Sequence, residues 1–447
     1  MSRFDIASAY IAARWRAATL HGARLERWKQ RRVAELIDDV RAHSPFHRDL
    51  WRGLPTSSWA SFPTVDKRDM MAKFDRFNTI GVSRDAAMAI ALDAEQQREY
   101  SATVAGCTIG LSSGTSGYRG LFLVSPDEQT RWAGTILARA IPDLRPGHRV
   151  AFFLRANSRL YERTSSLVQF RFFDLMQPLH DVVAELNAFH PRLIVGPPSL
   201  LGLLADAREQ GRLRATPTRL ISVAEVIEPR DRERLERIFQ ISVGEVYQCT
   251  EGLIAVTCRH GTMHLQEDVM MMQTEPVAPH DATRVTPILT DLWRRTQPIV
   301  RYRLGDVLQL DATPCACGSS WQRIAAIEGR QDDLCWFPQH DDSPRIVFPD
   351  AIRRMVLLAD DRILEYRVEQ PAAGELHVHV DVSQSEAFAD VAARVRASVH
   401  DALRNYGCRA IALTIHHGLP PTVPGAKRRR VVCSCVTPAA ERMAVQR

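Results

Sequence analysis

Between residues 105 and 250, short apolar runs, glycine-bearing turns and helical patterns alternate, and this alternation restricts the chain more than any other feature. The runs TIGL, GLFLV, HRVAFFL, RLIVG and RLISV each lead into turn residues, and the stretch 127–140 has clear helical spacing. Strands alternating with helices predict an α/β architecture with a largely parallel sheet. Before this region, residues 5–42 place Trp, Leu, Ile and Val among Arg, Glu and Asp at helical spacing, ending near His43-Ser44-Pro45. Prolines punctuate 55–63, and another helical stretch starts around Asp66-Lys67. Beyond Asp306 the pattern turns toward α+β, with strands expected over 323–336, 363–370, 375–382 and 409–416 and helices over 350–358 and 385–405. The expected division is a large N-terminal domain over 1–330, with 1–100 a helical lead-in, and a smaller C-terminal domain over 331–447. The boundary lies at Gly329-Arg330-Gln331-Asp332.

The chain has 447 residues, 45% hydrophobic and 25% charged, which excludes a disordered or disulfide-stapled protein and allows a sizeable core. A formal charge of +6 spread over this length suits a nucleotide-sized anion and gives no argument for nucleic acid. The run Lys427-Arg428-Arg429-Arg430 reads as a solvated face. No apolar run approaches the roughly 18 residues of a membrane span, and the opening MSRFDIASAYIAARWRAA carries arginines where a secretory core would be apolar. A cytoplasmic protein is expected. Its nine cysteines then read as buried small residues or metal ligands rather than disulfides.

Four segments carry chemistry. Ser112-Ser113-Gly114-Thr115-Ser116-Gly117, between two expected strands, can turn backbone N–H groups and hydroxyls onto phosphate oxygens, and in isolation reads equally as a hairpin turn. Tyr247-Gln248-Cys249-Thr250-Glu251 places an aromatic ring, a hydroxyl and a carboxylate within five residues. Arg301-Tyr302-Arg303-Leu304-Gly305-Asp306 places an acid directly after Gly, and Gly329-Arg330-Gln331-Asp332-Asp333 marks the boundary. In this order, from Thr64-Val65-Asp66-Lys67 to Lys427, the segments resemble those of the acyl-adenylate-forming enzymes, with the closest look to the phenylacetate-CoA ligase branch and its coenzyme F390 synthetase-like relatives.

The resemblance implies ATP, Mg²⁺ and a carboxylic acid as ligands, and a C-terminal domain that moves between half-reactions. Ser112 through Gly117 match the loop that closes on the ATP phosphates, although Tyr118-Arg119 stand where relatives carry Lys-Pro. Ala224-Glu225 match a Gly-Glu-type segment lining the adenine, and Tyr247 would pack on the purine face. Thr250 would donate to the α-phosphate, Glu251 would hold Mg²⁺, and Asp306 would accept from the ribose hydroxyls. Arg330 would reach the nucleotide and Asp332 would be the hinge. Lys427, in the closing Leu419-Pro420-Pro421-Thr422-Val423-Pro424-Gly425-Ala426-Lys427 segment, would contact the carboxylate and α-phosphate, with Arg428 as the alternative.

Cys258 with His264, and Cys315 with Cys317, are short-spaced S/N pairs that a closed tetrahedral Zn²⁺ site could use, and His260 competes with His264. The resemblance implies a structural zinc at this place. The expected function is ATP-dependent activation of a compact, aromatic acid, with CoA as acceptor; Trp336 to Pro344 lacks the Gly-rich turn that relatives place beside pantetheine, which leaves an amine, a carrier-protein thiol or a hydroxyl open. AMP transfer to a cofactor hydroxyl is a further alternative, and homodimerisation is left open. Phe152, Phe153, Tyr161, Pro197 and Pro198 are the candidates for lining the acid pocket.

Overall fold

The computed structural model describes residues 5–97, 102–112, 120–143, 147–154, 168–175, 177–278, 281–330, 333–382, 384–421 and 429–435. Residues divide into two compact units, one of Met1–Leu304 with Gln309–Ala326 and one of Gly305–Leu308 with Ile327–Arg447. The division therefore falls inside the strands Asp306–Asp311 and Arg323–Arg330.

In the first unit, five parallel strands run in the order 168–174, 148–154, 193–196, 219–222, 243–249. One face packs Ala151, Phe153, Ile194 and Leu220 under the helices Leu179–Phe189, Pro198–Glu209 and Pro229–Phe239. Phe153 and Phe173 stack there with ring centroids 4.7 Å apart, and each fully buried ring contributes roughly 2–3 kcal/mol. The other face carries Val150, Phe152, Val195, Ile221 and Val246 toward the helix Pro126–Ala140. That helix starts cleanly because Ser125 and Glu128 form a reciprocal capping box with Pro126 at the first turn.

The expectation of a largely parallel sheet holds only to Cys249. The chain then returns antiparallel as Gly252–Thr257 and Met263–Leu265, and Met270–Ala278 pairs antiparallel with Asp281–Asp291. Gly252 makes the reversal possible, since at its φ of +153 a Cβ would sit 2.7 Å from Asp291 Oδ2 and 2.8 Å from Met270 Cε. The strands Cys107–Leu111 and Leu121–Val124 belong to a separate three-stranded antiparallel sheet.

The helical lead-in is built into this unit. Helix Ile6–Thr19 lies so close to Pro126–Ala140 that a Cβ on Gly134 would meet Ala9 Cβ at 2.4 Å. Arg16 Nε and Arg139 Nη2 donate to Oδ2 of the fully buried Asp268 at 2.8 and 2.9 Å. Burial would raise that carboxyl, but the two guanidinium groups outweigh it and hold it below its ordinary range.

The second unit has a four-stranded sheet in the order 412–417, 375–382, 363–372, 431–433. Val391, Val395, Val399 and Leu403 recur at helical spacing along Phe388–Asn405 and share one core with Leu376, Val378 and Val380. The single strand expected over 323–336 is two, Arg323–Arg330 and Cys335–Pro338, the second forming a hairpin with Pro344–Val347. The three-residue strand Val431–Cys433 was not expected, being too short to show periodicity. Among the described residues no helix is long and apolar enough to cross a membrane.

Candidate functional site

Ser112 ends the strand Cys107–Leu111 and closes the neck of the Ser/Gly loop. Its N–H donates to Gly120 O at 2.7 Å, and its Oγ accepts from Gly120 N at 2.8 Å. The same Oγ accepts from Lys67 Nζ at 3.2 Å. Lys67 is the first residue of a helix capped by Asp66, whose carboxylate takes the N–H groups of Arg68 and Asp69. Val65 is strapped to the Arg301-Tyr302-Arg303 segment by Val65 N to Arg301 O at 3.1 Å and Arg303 N to Val65 O at 2.8 Å.

Thr250 and Glu251 stand at the carboxyl end of the last parallel strand, where α/β sheets present ligand sites. Thr250 Oγ1 donates to Glu251 Oε2 at 2.9 Å, and Glu251 is buried. Burial, and then the neighbouring Glu251 carboxylate, push the Tyr302 phenol well above its ordinary value, so it stays neutral. Buried Arg294 donates to Thr250 O at 3.0 Å and to Leu123 O at 3.1 Å, tying this corner to the strand that leaves the Ser/Gly loop. Gln297 grips the same strand through Leu123 N and Leu121 O. Lys67, Tyr302 and Arg294 had no assigned role from sequence; the Asp66-Lys67 match and the Arg301-to-Asp306 segment pointed to the neighbourhood of the first two, and nothing pointed to Arg294.

Beside this corner is an apolar pocket of about 640 Å³, mouth included, between the parallel sheet and helix Pro126–Ala140. Its walls include Trp132, Ile136, Phe152, Phe170, Val195, Ile221 and Val246, with Ile6 from the first helix. Gln248 also lines it, and its buried Oε1 has no hydrogen-bond partner among the described residues. Of the expected lining residues Phe152 is present, whereas Phe153 points to the opposite face of the sheet and Pro197 and Pro198 open a helix away from the pocket. Strand alternation sends Phe152 and Phe153 to opposite sides.

Ala224 follows the strand Arg219–Ser222 in a left-handed conformation with φ of +70, where a residue with a Cβ is strained by roughly 1 kcal/mol. The backbone thus keeps the shape that the Gly of a Gly-Glu segment favours, although the chain carries Ala; Glu225 is half-buried beside it. Tyr247 is buried on its strand, opposite Ala255. In the second unit Arg330 Nε lies 3.6 Å from Asp306 Oδ1, so these two expected nucleotide residues do meet. Ser113 to Gly117, Arg119, Tyr161, Asp332, Lys427 and Arg428 lie outside the described residues.

Cys258, His264, Cys315 and Cys317 bring their ligand atoms within 4.8 Å of one another. Two turns of the same form present the sulfurs. In Cys258-Arg259-His260-Gly261 the amide of His260 donates to Cys258 Sγ and that of Gly261 to Cys258 O. In Cys315-Ala316-Cys317-Gly318 the amides of Cys317 and Gly318 do the same to Cys315. Gly261 and Gly318 have φ of +76 and +80, which these turns require. The side chain of His260 is exposed, so His264 is the histidine of the cluster. His264 Nδ1 is 3.1 Å from Trp321 O, and donation to that carbonyl directs the Nε2 lone pair inward.

The separations are 3.8 Å from Cys258 Sγ to Cys315 Sγ and 3.4 Å from Cys317 Sγ to His264 Nε2. Tetrahedral zinc, with bonds of about 2.3 Å to sulfur and about 2.0 Å to nitrogen, requires about 3.8 and about 3.5 Å. The donor set therefore fits Zn²⁺. Without metal the group resists holding several thiolates. Burial at Cys315 is outweighed by hydrogen bonds from Thr262 and the Cys317 amide, which hold it at about 5. At Cys317 burial and the neighbouring cysteines push the thiol up to about 11.

No protein-family model and no curated protein matches the sequence. Solved structures do match. The 2-hydroxyisobutyryl-CoA ligase in its postadenylation state aligns with a TM-score of 0.70 at 18% identity, over 96% of this chain and 94% of that one. An open conformation of the same ligase with acyl-AMP and CoA aligns at 0.60 and 20% identity, over 90% of each chain. The GH3.15 acyl acid amido synthetase aligns at 0.56 and 12% identity, over 89% of each. The chain has the fold of the acyl-adenylate-forming enzymes. Within the adenylate-forming fold the four sequence segments fall on two units: Ser112, Thr250 and Glu251 on the first, Asp306 and Arg330 on the second.

Proposed function

We propose that the protein activates a compact, aromatic carboxylic acid with ATP to give acyl-AMP and pyrophosphate, then transfers the acyl group, with CoA as the first acceptor. The observation that carries this reading is the corner at which Lys67, Ser112, Thr250 and Glu251 are tied together by Arg294 and Tyr302 beside an apolar pocket. The aromatic walls suit a ring, and the unpartnered Gln248 Oε1 suits a hydrogen-bond donor on it.

In this reading a carboxylate oxygen of the acid attacks the α-phosphorus of ATP. The new P–O bond forms as the bond to the β-phosphate oxygen breaks, and no proton moves. Lys67, Lys427 and the Thr250 hydroxyl stabilise charge on the phosphate oxygens. Glu251 and Thr250 offer oxygen ligands of the kind Mg²⁺ takes together with substrate phosphates, and the ion would neutralise the departing pyrophosphate. Tyr247, Ala224 and Glu225 line the adenine, Asp306 and Arg330 bind the nucleotide, and Asp332 is the hinge. The thiol of CoA then attacks the acyl carbonyl, AMP leaves, and the thiol proton passes to solvent. The cysteine cluster holds a structural zinc.

An amine acceptor is the second reading. The segment after Asp332 forms a hairpin whose turn carries His340, Asp341 and Asp342, with Asp342 at φ of +64, and it lacks the Gly-rich turn that the resemblance implies beside pantetheine. A CoA ligase and an acyl acid amido synthetase both share the fold, which supports either acceptor. Pyrophosphate release across a panel of aromatic and aliphatic acids tests the first step, and hydroxamate formation without CoA identifies acyl-AMP. Acid-independent pyrophosphate release would overturn the reading.

A further inference from the structure

On the strand Glu375–Val382, Leu376, Val378 and Val380 are fully buried against the helices. Alternation therefore puts Glu375, His377 and His379 on the opposite, open face. The neighbouring strand Ala412–His417 runs parallel to it with His416 directly across from His379. Three imidazoles thus share one patch: the His379 and His416 rings stack at 4.4 Å and 15°, and those of His377 and His416 are 5.3 Å apart.

Two carboxylates flank the patch from outside. Glu375 Oε1 lies 2.7 Å from His377 Nε2, and Glu369 Oε2 lies 3.9 Å from His379 Nε2. A carboxylate only accepts, so His377 carries its proton on Nε2 and presents the Nδ1 lone pair on the other side. That lone pair accepts from His416 Nε2 at 3.3 Å, and a metal would take the place of the shared proton. Two imidazole nitrogens bound to one tetrahedral metal, at about 2.0–2.1 Å each, lie about 3.3–3.4 Å apart. The carboxylate–histidine pairing also orients metal-ligating imidazoles and raises their basicity.

We propose that His377 and His416 form a second transition-metal site that joins two neighbouring strands of this sheet, with the His379 ring stacked on His416 and supplying no ligand. Imidazoles select zinc, copper and nickel over calcium or magnesium. The half-exposed rings leave the remaining positions to water. The site would fasten the edge strand Ala412–His417, whose outer side has no sheet partner in the described residues.

The full-length protein as purified is dialysed against micromolar free Zn²⁺ and its bound zinc counted by atomic emission. Wild type is expected to hold one zinc more per chain than His377→Ala or His416→Ala, whatever the cysteine cluster contributes, while His180→Ala, at an exposed histidine on another unit, leaves the count unaltered. His416→Gln keeps the side-chain bulk and should lose the same ion. Zinc should also raise the unfolding midpoint of wild type more than that of either variant. Equal zinc in wild type, His416→Ala and His416→Gln overturns the proposal.

Discussion

Around Thr250-Glu251 the Glu251 carboxylate, the Tyr302 phenol and the Arg294 guanidinium are buried side by side, whereas the Asp306–Arg330 pair meets at 3.6 Å with the Arg330 side chain 30% exposed. The first arrangement is a fixed cradle, in which dipoles and charges are in place before a ligand arrives. The second is a loose grip, in which a guanidinium can exchange a carboxylate for a nucleotide at little cost. If the proposed function is right, losses in the cradle should fall on the chemical step and losses in the grip on binding.

The largest effect should come from the lysines. Lys427→Ala is expected to lower adenylation by about 10³-fold and leave ATP binding largely intact, and Lys67→Ala to lower it by about 10²-fold, read as acid-dependent pyrophosphate release. Wild-type activity in Lys67→Ala would remove that residue from the cradle. Cys315→Ser/Cys317→Ser should release zinc and cost about 3 kcal/mol or more in denaturant unfolding; unchanged stability with the metal gone would show that the ion is not structural. Arg330→Ala should raise KM for ATP about tenfold, worth about 1.4 kcal/mol, with kcat little changed. A fall in kcat alone would mean that the pair belongs with the chemistry.

A last contrast separates two buried aspartates. Asp268 is held low by Arg139 and Arg16, so its stabilisation is present at neutral pH and lost as pH falls through its depressed value. Asp291 is the reverse: burial, opposed by Arg294 and two backbone N–H groups, raises it from 3.8 to about 6. Its contribution is complete below the unfolded value near 3.8 and is lost as pH rises through about 6. Asp291→Asn keeps an acceptor for the Trp293 and Arg294 amides at 2.8 and 3.1 Å. It should flatten the stability profile between pH 4 and 6 by up to roughly 3 kcal/mol. An unchanged slope in urea unfolding would refute the assignment.

Much of the fold was legible because its elements are periodic. The helix Pro126–Ala140 has a capping box and an apolar stripe, and the parallel strands are continuous apolar runs. The antiparallel half was not, because the return at Gly252 is set by the contact with Asp291 and Met270, which lie 39 and 18 residues further on. Local motifs exposed Thr250, Glu251, Asp306 and the cysteine pairs. Lys67 escaped because its contact is with Ser112, 45 residues away. His264 could be separated from His260 only once the fold left His260 exposed and brought His264 to the three sulfurs.

The first helices bear on how the protein can be dissected. Ile6 forms part of the pocket wall, Arg16 neutralises Asp268, Val65 is stitched to Arg301 and Arg303, and Lys67 reaches the loop neck. A truncation that begins at the first sheet strand would lose the Thr64-to-Lys67 motif, open the pocket and leave the buried Asp268 carboxylate with Arg139 alone. Fragments meant to retain activity therefore have to keep the lead-in, and a separately supplied segment 5–72 is a rational candidate for restoring a truncated chain in trans.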